Sequence, residues 1–149
     1  SSLTGLSPNT TYYVRAYATN ANGTSYGTQY SVVQPYDTLP TFMYNGHTYK
    51  VAPDPGPSMT WSTANTYCNG LELYGYSDWR LPTQNELYQM YVDRNSIGGF
   101  DYLTYWTSVT SCNGTFPYGF IYFSGSNAGT YNCANASSTC HVRPIRQVN

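Results

Sequence analysis

Hydrophobic and polar positions change period along this chain. From Tyr12 to Thr19 apolar and polar residues alternate around Tyr13-Val14-Arg15-Ala16-Tyr17, the period of two of a half-buried strand. Asn20-Ala21-Asn22-Gly23 predicts a hairpin turn, because Asn-Gly takes positive φ cheaply, and a second strand is expected from Gly27 to Val33. Phe42 to Val51 repeats the scheme around Asn45-Gly46. After a proline-rich loop over Ala52–Pro57 the period lengthens. Trp61, Ala64, Cys68 and Leu71 fall at i, i+3, i+7 and i+10, which predicts a helix capped by Thr60, running to Asn69 and ended by Gly70. A second helix is predicted from Gln84 to Arg94, burying Leu87, Met90 and Tyr91. Its start is the sharpest local signal: Thr83 can cap the first amides, and Glu86, three residues on, can reach back to the cap. Beyond Gly98-Gly99 only short strands are expected, at Tyr105–Thr110, Gly119–Ser124, Thr130–Asn132 and His141–Gln147. Trp61, Trp79 and Trp106 lie on apolar phases and are assigned to the core. Helices first and short antiparallel strands last make an α+β domain.

The stretch Ser77-Asp78-Trp79-Arg80-Leu81-Pro82-Thr83-Gln84-Asn85-Glu86-Leu87, with Tyr105-Trp106-Thr107-Ser108 and the closing Val142-Arg143-Pro144-Ile145-Arg146, resembles one family. It is the C-terminal domain of bacterial collagen-like adhesins, with its relatives the "major paralogous" domains of bacterial surface proteins. The resemblance runs from about Phe42 to Gln147 and implies a C-type-lectin-like fold, two helices with short antiparallel strands, on a secreted or surface protein. Upstream, Leu6-x-Pro8-x-Thr10-x-Tyr12-x-Val14-Arg15-Ala16-Tyr17-Ala18-x-Asn20-x-x-Gly23 is similar to the last strands of a fibronectin type III domain. The chain therefore divides into residues 1–38, a partial all-β sandwich; a join at 39–41 within the proline-bearing linker Gln34–Pro40; and the lectin-like domain, 42–149. A sandwich of that kind needs about seven strands. The chain is expected to be a fragment, the alternative being strands donated from upstream or by a neighbouring subunit. Any export signal is expected upstream of Ser1.

Composition narrows the function. Charged residues are 9% of the chain, Tyr alone contributes 18 of 149 residues, and the net charge is −1. The six scattered cations leave no footprint for nucleic acid and no polybasic membrane patch, and no apolar run is long enough to insert in a membrane. Abundant Tyr, Thr, Ser, Asn and Gly suit an extracellular or cell-surface protein, or one on a phage or virion surface. Four cysteines, Cys68, Cys112, Cys133 and Cys140, allow three full pairings, and none forms a Cys-x-x-Cys pair. Three of them crowd into the loop-rich end, so one disulfide is expected there, Cys112 with Cys133 or with Cys140, and Cys68 is read as a buried thiol. Relatives pair a helix cysteine with one in the terminal strand; Pro144 stands at that terminal position here.

Catalytic readings find little to stand on. Among Glu72, Asp78, Glu86, Asp93 and Asp101, Glu86 has a capping duty and Asp78 precedes a Trp-Arg strand, where a turn or an arginine partner accounts for it. No Gly-x-Ser-x-Gly elbow occurs, and His47 and His141 have no recognisable partner. A lectin-fold sulfatase-activating enzyme would need paired reactive cysteines, and Cys133 and Cys140 have no electropositive neighbours in sequence. No Asp or Glu occurs between Thr104 and Asn149, so a calcium site of the animal-lectin kind lacks its carboxylates. No cofactor and no metal are expected. Arg80, Arg143 and Arg146 are read as partners in salt bridges or backbone contacts.

Binding has better support. Residues 107–141 carry Tyr, Phe, Asn, Ser, Thr and Gly in the manner of adaptable recognition loops, where tyrosine supplies contact area at low entropic cost. Asn113, Phe116, Tyr118, Tyr122, Asn127, Tyr131, Asn132, Asn135 and His141 are the candidate ligand contacts, with a glycan or a surface receptor as partner. The same segment has no Lys, Glu, Gln, Met or Trp, the types missing when a retroelement randomises adenines, as in some relatives; residues 1–28 lack them too, without any such history. Asn-x-Ser/Thr sequons at Asn9, Asn22, Asn113 and Asn135 are read as products of composition. The rival reading is a subunit of an extracellular filament, with Tyr-rich faces buried against identical copies.

Overall fold

The computed structural model describes residues 6, 10–33, 38–53, 56–100 and 103–148. Most of the turn-rich lead-in before Thr10, with the Asn9 sequon, lies outside the described residues, as do positions 34–37 of the linker and Asp101. The chain forms two compact units: Ser1–Thr38 with Glu72–Tyr76, and Leu39–Leu71 with Ser77–Asn149.

In the first unit, β1 (Thr11–Val14) pairs with β4 (Tyr30–Val33), and β2 (Tyr17–Asn20) with β3 (Gly23–Tyr26), all antiparallel. The arms expected as continuous strands are each split. The Gly27 amide donates to the Ala16 carbonyl at 2.8 Å in the gap, so the ladder passes from one pair to the other. The return strand also starts earlier than expected. The tip is the two-residue Ala21-Asn22, and the Asn20 Oδ1 accepts the Asn22 amide at 2.9 Å, leaving Gly23 opposite Asn20. Only Tyr12 and Val14 of these strands are half-buried; Tyr13, Tyr17, Tyr26 and Tyr30 are each more than half exposed.

The second unit is mixed α and β. β5 (Thr41–Tyr44) and β6 (His47–Val51) form the expected hairpin, turning at Asn45 (φ 51°) and Gly46 (φ 78°), the pair of positive φ values that Asn-Gly tolerates. β12 (Ile145–Gln147) lies on the other side of β6, giving the order β12-β6-β5. A second sheet runs β10-β9-β8-β11-β7, from β7 (Gly56–Met59), β8 (Thr104–Trp106), β9 (Tyr118–Tyr122), β10 (Tyr131–Ala134) and β11 (Cys140–Val142). Its β8–β11 pair is parallel and the rest are antiparallel.

Several boundaries differ from expectation for local reasons. The terminal strand 141–147 is two strands in two sheets. Between them Pro144 has no amide to continue a ladder; its carbonyl takes the Ala52 amide at 2.9 Å. The strand expected to reach Thr110 ends at Trp106, because the Thr107 hydroxyl caps the Gly119 carbonyl at 2.8 Å and the Ser108 amide leaves for Pro82 O at 2.7 Å. β7, whose first two residues Gly56-Pro57 fall in the expected proline-rich loop, is recruited by β11.

The helices follow the pattern closely. α1 (Trp61–Asn69) begins after Thr60, but the Thr60 hydroxyl bonds the Thr63 hydroxyl at 3.0 Å and caps no amide. α2 (Gln84–Val92) has the full capping box: the Glu86 amide donates to the Thr83 hydroxyl at 3.3 Å, and the Thr83 amide to Glu86 Oε2 at 2.7 Å. It stops at Val92, two residues short of Arg94, with Asp93 as its C-cap, and a single turn, α3 (Arg94–Ile97), follows. α2 packs on β5 and β9, and its Leu87 and Met90 enter a core with Phe42, Val51, Tyr105 and Ile145. A second core gathers Ala64, Cys68, Leu81, Trp106, Phe120 and Val142. Each fully buried side chain of this size contributes about 1.5–3 kcal/mol. Trp79 and Trp106 are buried as expected; Trp61 is only half-buried, its indole N–H donating to Thr107 O at 2.8 Å.

Candidate ligand-binding groove

A groove of about 380 Å³ opens on one side of the β9–β10 hairpin. Strand alternation builds its floor: Phe120 and Tyr122, two apart on β9, share a face, and Asn132 lies directly opposite Phe120 on β10. Phe116, 39% exposed, is contributed by the 111–117 loop, and Asn135, Ser138 and Thr139 by the turn before β11. The Cys112–Cys133 disulfide ties the 111–117 loop to β10, which decides between the two expected pairings; Cys140 and Cys68 are free and buried.

The rim loops are held by asparagine side chains. Asn113 Oδ1 accepts the Thr115 and Phe116 amides at 3.1 and 2.8 Å, fixing the turn that presents Phe116. Asn135 Oδ1 accepts the amides of Ser137 and Ser138 at 3.0 and 2.9 Å, and both serine hydroxyls at 2.9 Å. Asn132 Oδ1 accepts the Cys133 amide at 2.8 Å.

Of the nine candidate contacts, the groove brings together Phe116, Tyr122, Asn132 and Asn135, with Asn113 supporting the first. The others sit elsewhere. Tyr118 stacks on Trp61, centroids 4.7 Å apart with planes 8° from parallel, and meets Trp106 edge-on. Tyr131 lies over Gly119, where a Cβ would collide with its hydroxyl and ring, and donates to Cys112 Sγ at 3.0 Å; burial raises its phenol pKa. Asn127 is exposed in the turn at the far end of the β9–β10 hairpin. His141 is held by a 3.2 Å contact of Nδ1 with the Gly56 carbonyl and packs near the Tyr105 ring. Thr104, Phe120, Ala134, Ser138 and Thr139 line the groove without having been singled out. For Phe120 the signal was present, since it shares the Tyr122 phase.

Among the described residues no charged side chain lines the groove. Burial pushes the Cys140 thiol, which borders it, up to about 11 and the Cys68 thiol up to about 12, so both are protonated at neutral pH. The arginines have other duties. Arg80 binds both oxygens of Glu86 at 2.8 and 2.7 Å; burial alone would raise the Glu86 pKa, but Arg80 and the Thr83 amide hold it at about 2. Arg146 binds both oxygens of Asp78 at 2.6 and 3.1 Å, and this hydrogen bonding lowers the Asp78 pKa. Arg143 donates to the carbonyls of Gly99 and Gly98 at 2.6 and 3.0 Å. The sequence motif that carries the resemblance is thus a structural frame: Arg80 exchanges backbone hydrogen bonds with Ile145 at 2.9 and 3.0 Å, clipping the Trp79-Arg80-Leu81 segment to β12.

No described helix is long and apolar enough to cross a membrane. No curated protein matches the chain. The family model for the Lcl C-terminal domain matches residues 36–146, well over half of the 149-residue chain, in keeping with the adhesin-type surface domain its motifs resemble. The chain belongs to the Lcl C-terminal domain family.

Proposed function

We propose that the second unit is a C-type-lectin-like recognition domain that binds glycans outside the cell through the β9–β10 groove, presented by a fibronectin-type-III-like unit, with no chemical step. One observation carries the reading: the groove combines two aromatic side chains, Phe116 and the half-buried Tyr122, with asparagine, serine and threonine, and among the described residues no charged side chain lines it. Aromatic faces match the apolar faces of sugar rings, and amides and hydroxyls match ring hydroxyls. Protonated thiols and carboxylates committed to arginines favour binding over catalysis. The test is a glycan array probed with the whole chain and with Phe116→Ala and Tyr122→Ala. Specific binding that both substitutions abolish, with unchanged melting temperature, supports the groove; binding indifferent to both refutes it.

A second reading has its own observation. Tyr13, Tyr17, Tyr26 and Tyr30 leave the β1–β4 strands exposed, as a subunit that assembles with identical copies would. Light scattering with electron microscopy over a range of concentrations separates the two, ordered fibres favouring assembly.

A further inference from the structure

The hydrogen-bond pattern of the groove points to a narrower ligand class, an inference that rests on the glycan reading above. A backbone N–H can only donate, so the side-chain atom facing it must be an oxygen. The Cys133 amide thereby fixes the orientation of Asn132, and the Ser137 and Ser138 amides fix that of Asn135. Asn135 Oδ1 is saturated by four hydrogen bonds and Asn132 Oδ1 has one of its two lone pairs taken, so what both side chains have free to offer a ligand is the Nδ2 amino group, a donor. Ser138 is biased the opposite way: its hydroxyl proton goes to Asn135 Oδ1, leaving Oγ lone pairs as an acceptor.

A complementary ligand accepts hydrogen bonds from two amides, donates one to a hydroxyl oxygen and lays apolar surface on Phe116 and Tyr122. It carries no charge, because the described residues of the groove supply no counter-charge and a desolvated unpaired charge is costly. We propose that the groove is a site for neutral 2-acetamido sugars, bound without a metal ion. The acetamido carbonyl is the strong acceptor that the asparagine amino groups require, its N–H is the donor for Ser138 Oγ, and its methyl and the pyranose face cover the aromatic rings. Metal independence follows from the donor set, since the segment from Thr104 to Asn149 has no carboxylate to hold calcium.

The test is calorimetric titration of the whole chain with N,N′-diacetylchitobiose, cellobiose and 3′-sialyllactose, each with and without EDTA. Diacetylchitobiose is expected to bind, cellobiose at least about tenfold more weakly because it leaves the polar groups unpaired, and EDTA to change nothing. Asn135→Asp keeps the oxygen that holds the 135–138 turn and Asn132→Asp the oxygen that accepts the Cys133 amide, while each removes the amino donor. Each is expected to weaken binding by about tenfold, the loss of one hydrogen bond, with an unchanged melting temperature. Equal binding of cellobiose overturns the acetamido assignment, and tighter binding of sialyllactose overturns the neutral class; in both cases the glycan reading survives if Phe116→Ala still abolishes binding. Loss of binding in EDTA overturns metal independence. If none of the three sugars binds, the acetamido proposal falls, and the glycan array decides the broader reading.

Discussion

Glu86→Gln isolates the charge at the centre of the family motif. The glutamine keeps the shape of the side chain and an oxygen for the Thr83 amide, so the capping box survives, but Arg80 loses its anionic partner. The Glu86 carboxyl moves from 4.5 to about 2 on folding. At about 1.36 kcal/mol per pH unit this corresponds to roughly 3 kcal/mol, reduced to about 2–3 because Arg80 is partly solvated. The folded value is depressed, so this stability is present above about pH 5 and is lost as pH falls through 4.5 towards 2. At pH 7 the variant is expected to melt about 5–10 °C below the parent, and the gap should close as pH approaches 2. Tryptophan fluorescence is a suitable probe, because Trp61, Trp79 and Trp106 all lie in the second unit. Asp78 also titrates at low pH, but it does so in both proteins and cancels in the difference. A gap that stays constant from pH 7 to pH 2.5 would refute the argument and assign Glu86 a role in packing or capping alone.

Three further outcomes follow from the same geometry. Replacing Cys112 and Cys133 together by serine removes a cross-link between residues 21 apart and is expected to lower stability by about 3 kcal/mol on the chain-entropy estimate; the check is a urea melt of the double variant beside the parent, and a midpoint unchanged by the substitutions contradicts it. Cys68 and Cys140, buried and with raised thiol pKa values, should resist a soluble thiol reagent at pH 8 in the native protein and react once it is unfolded in denaturant; fast native labelling contradicts their burial. Gly119→Ala forces a methyl into the Tyr131 ring and is expected to cost about 1–3 kcal/mol, with a change in tyrosine near-ultraviolet circular dichroism; a neutral result means the ring can move away freely.

Much of the fold was legible where local chemistry and tertiary demand agree. The Thr83–Glu86 box, the Asn45-Gly46 turn and the stripe of Ala64 and Cys68 each specify their element from within a few residues, and each formed. Strand ends were not legible in the same way, because distant partners decide them. Nothing near Thr107 in sequence announces that its hydroxyl will take the Gly119 carbonyl, and nothing near Gly56 announces that Val142 will draw it into a sheet. The break at Pro144 was foreshadowed by the missing amide, yet its consequence, two short strands in two different sheets, depends on where β6 and β8 lie.

The groove shows the same division between residue type and residue phase. Composition pointed to the terminal segment as a recognition surface, but composition is blind to which face of a strand a tyrosine occupies. Tyr122 and Tyr131 belong to paired strands and look equivalent in sequence; one lines the groove, while the other lies over Gly119 and hydrogen-bonds Cys112. The asparagines carry a deeper ambiguity. A surface amide is read as a versatile donor and acceptor until its backbone neighbours are known, and here those neighbours orient both amides, saturating the oxygen of Asn135 and taking one lone pair of Asn132. The loop hydrogen bonds that shape the rim therefore also set which polar atoms the rim presents. Ser137→Pro removes two of the four hydrogen bonds on Asn135 Oδ1 and leaves those of the Ser138 amide and hydroxyl, so it should loosen the turn while the amide keeps its orientation.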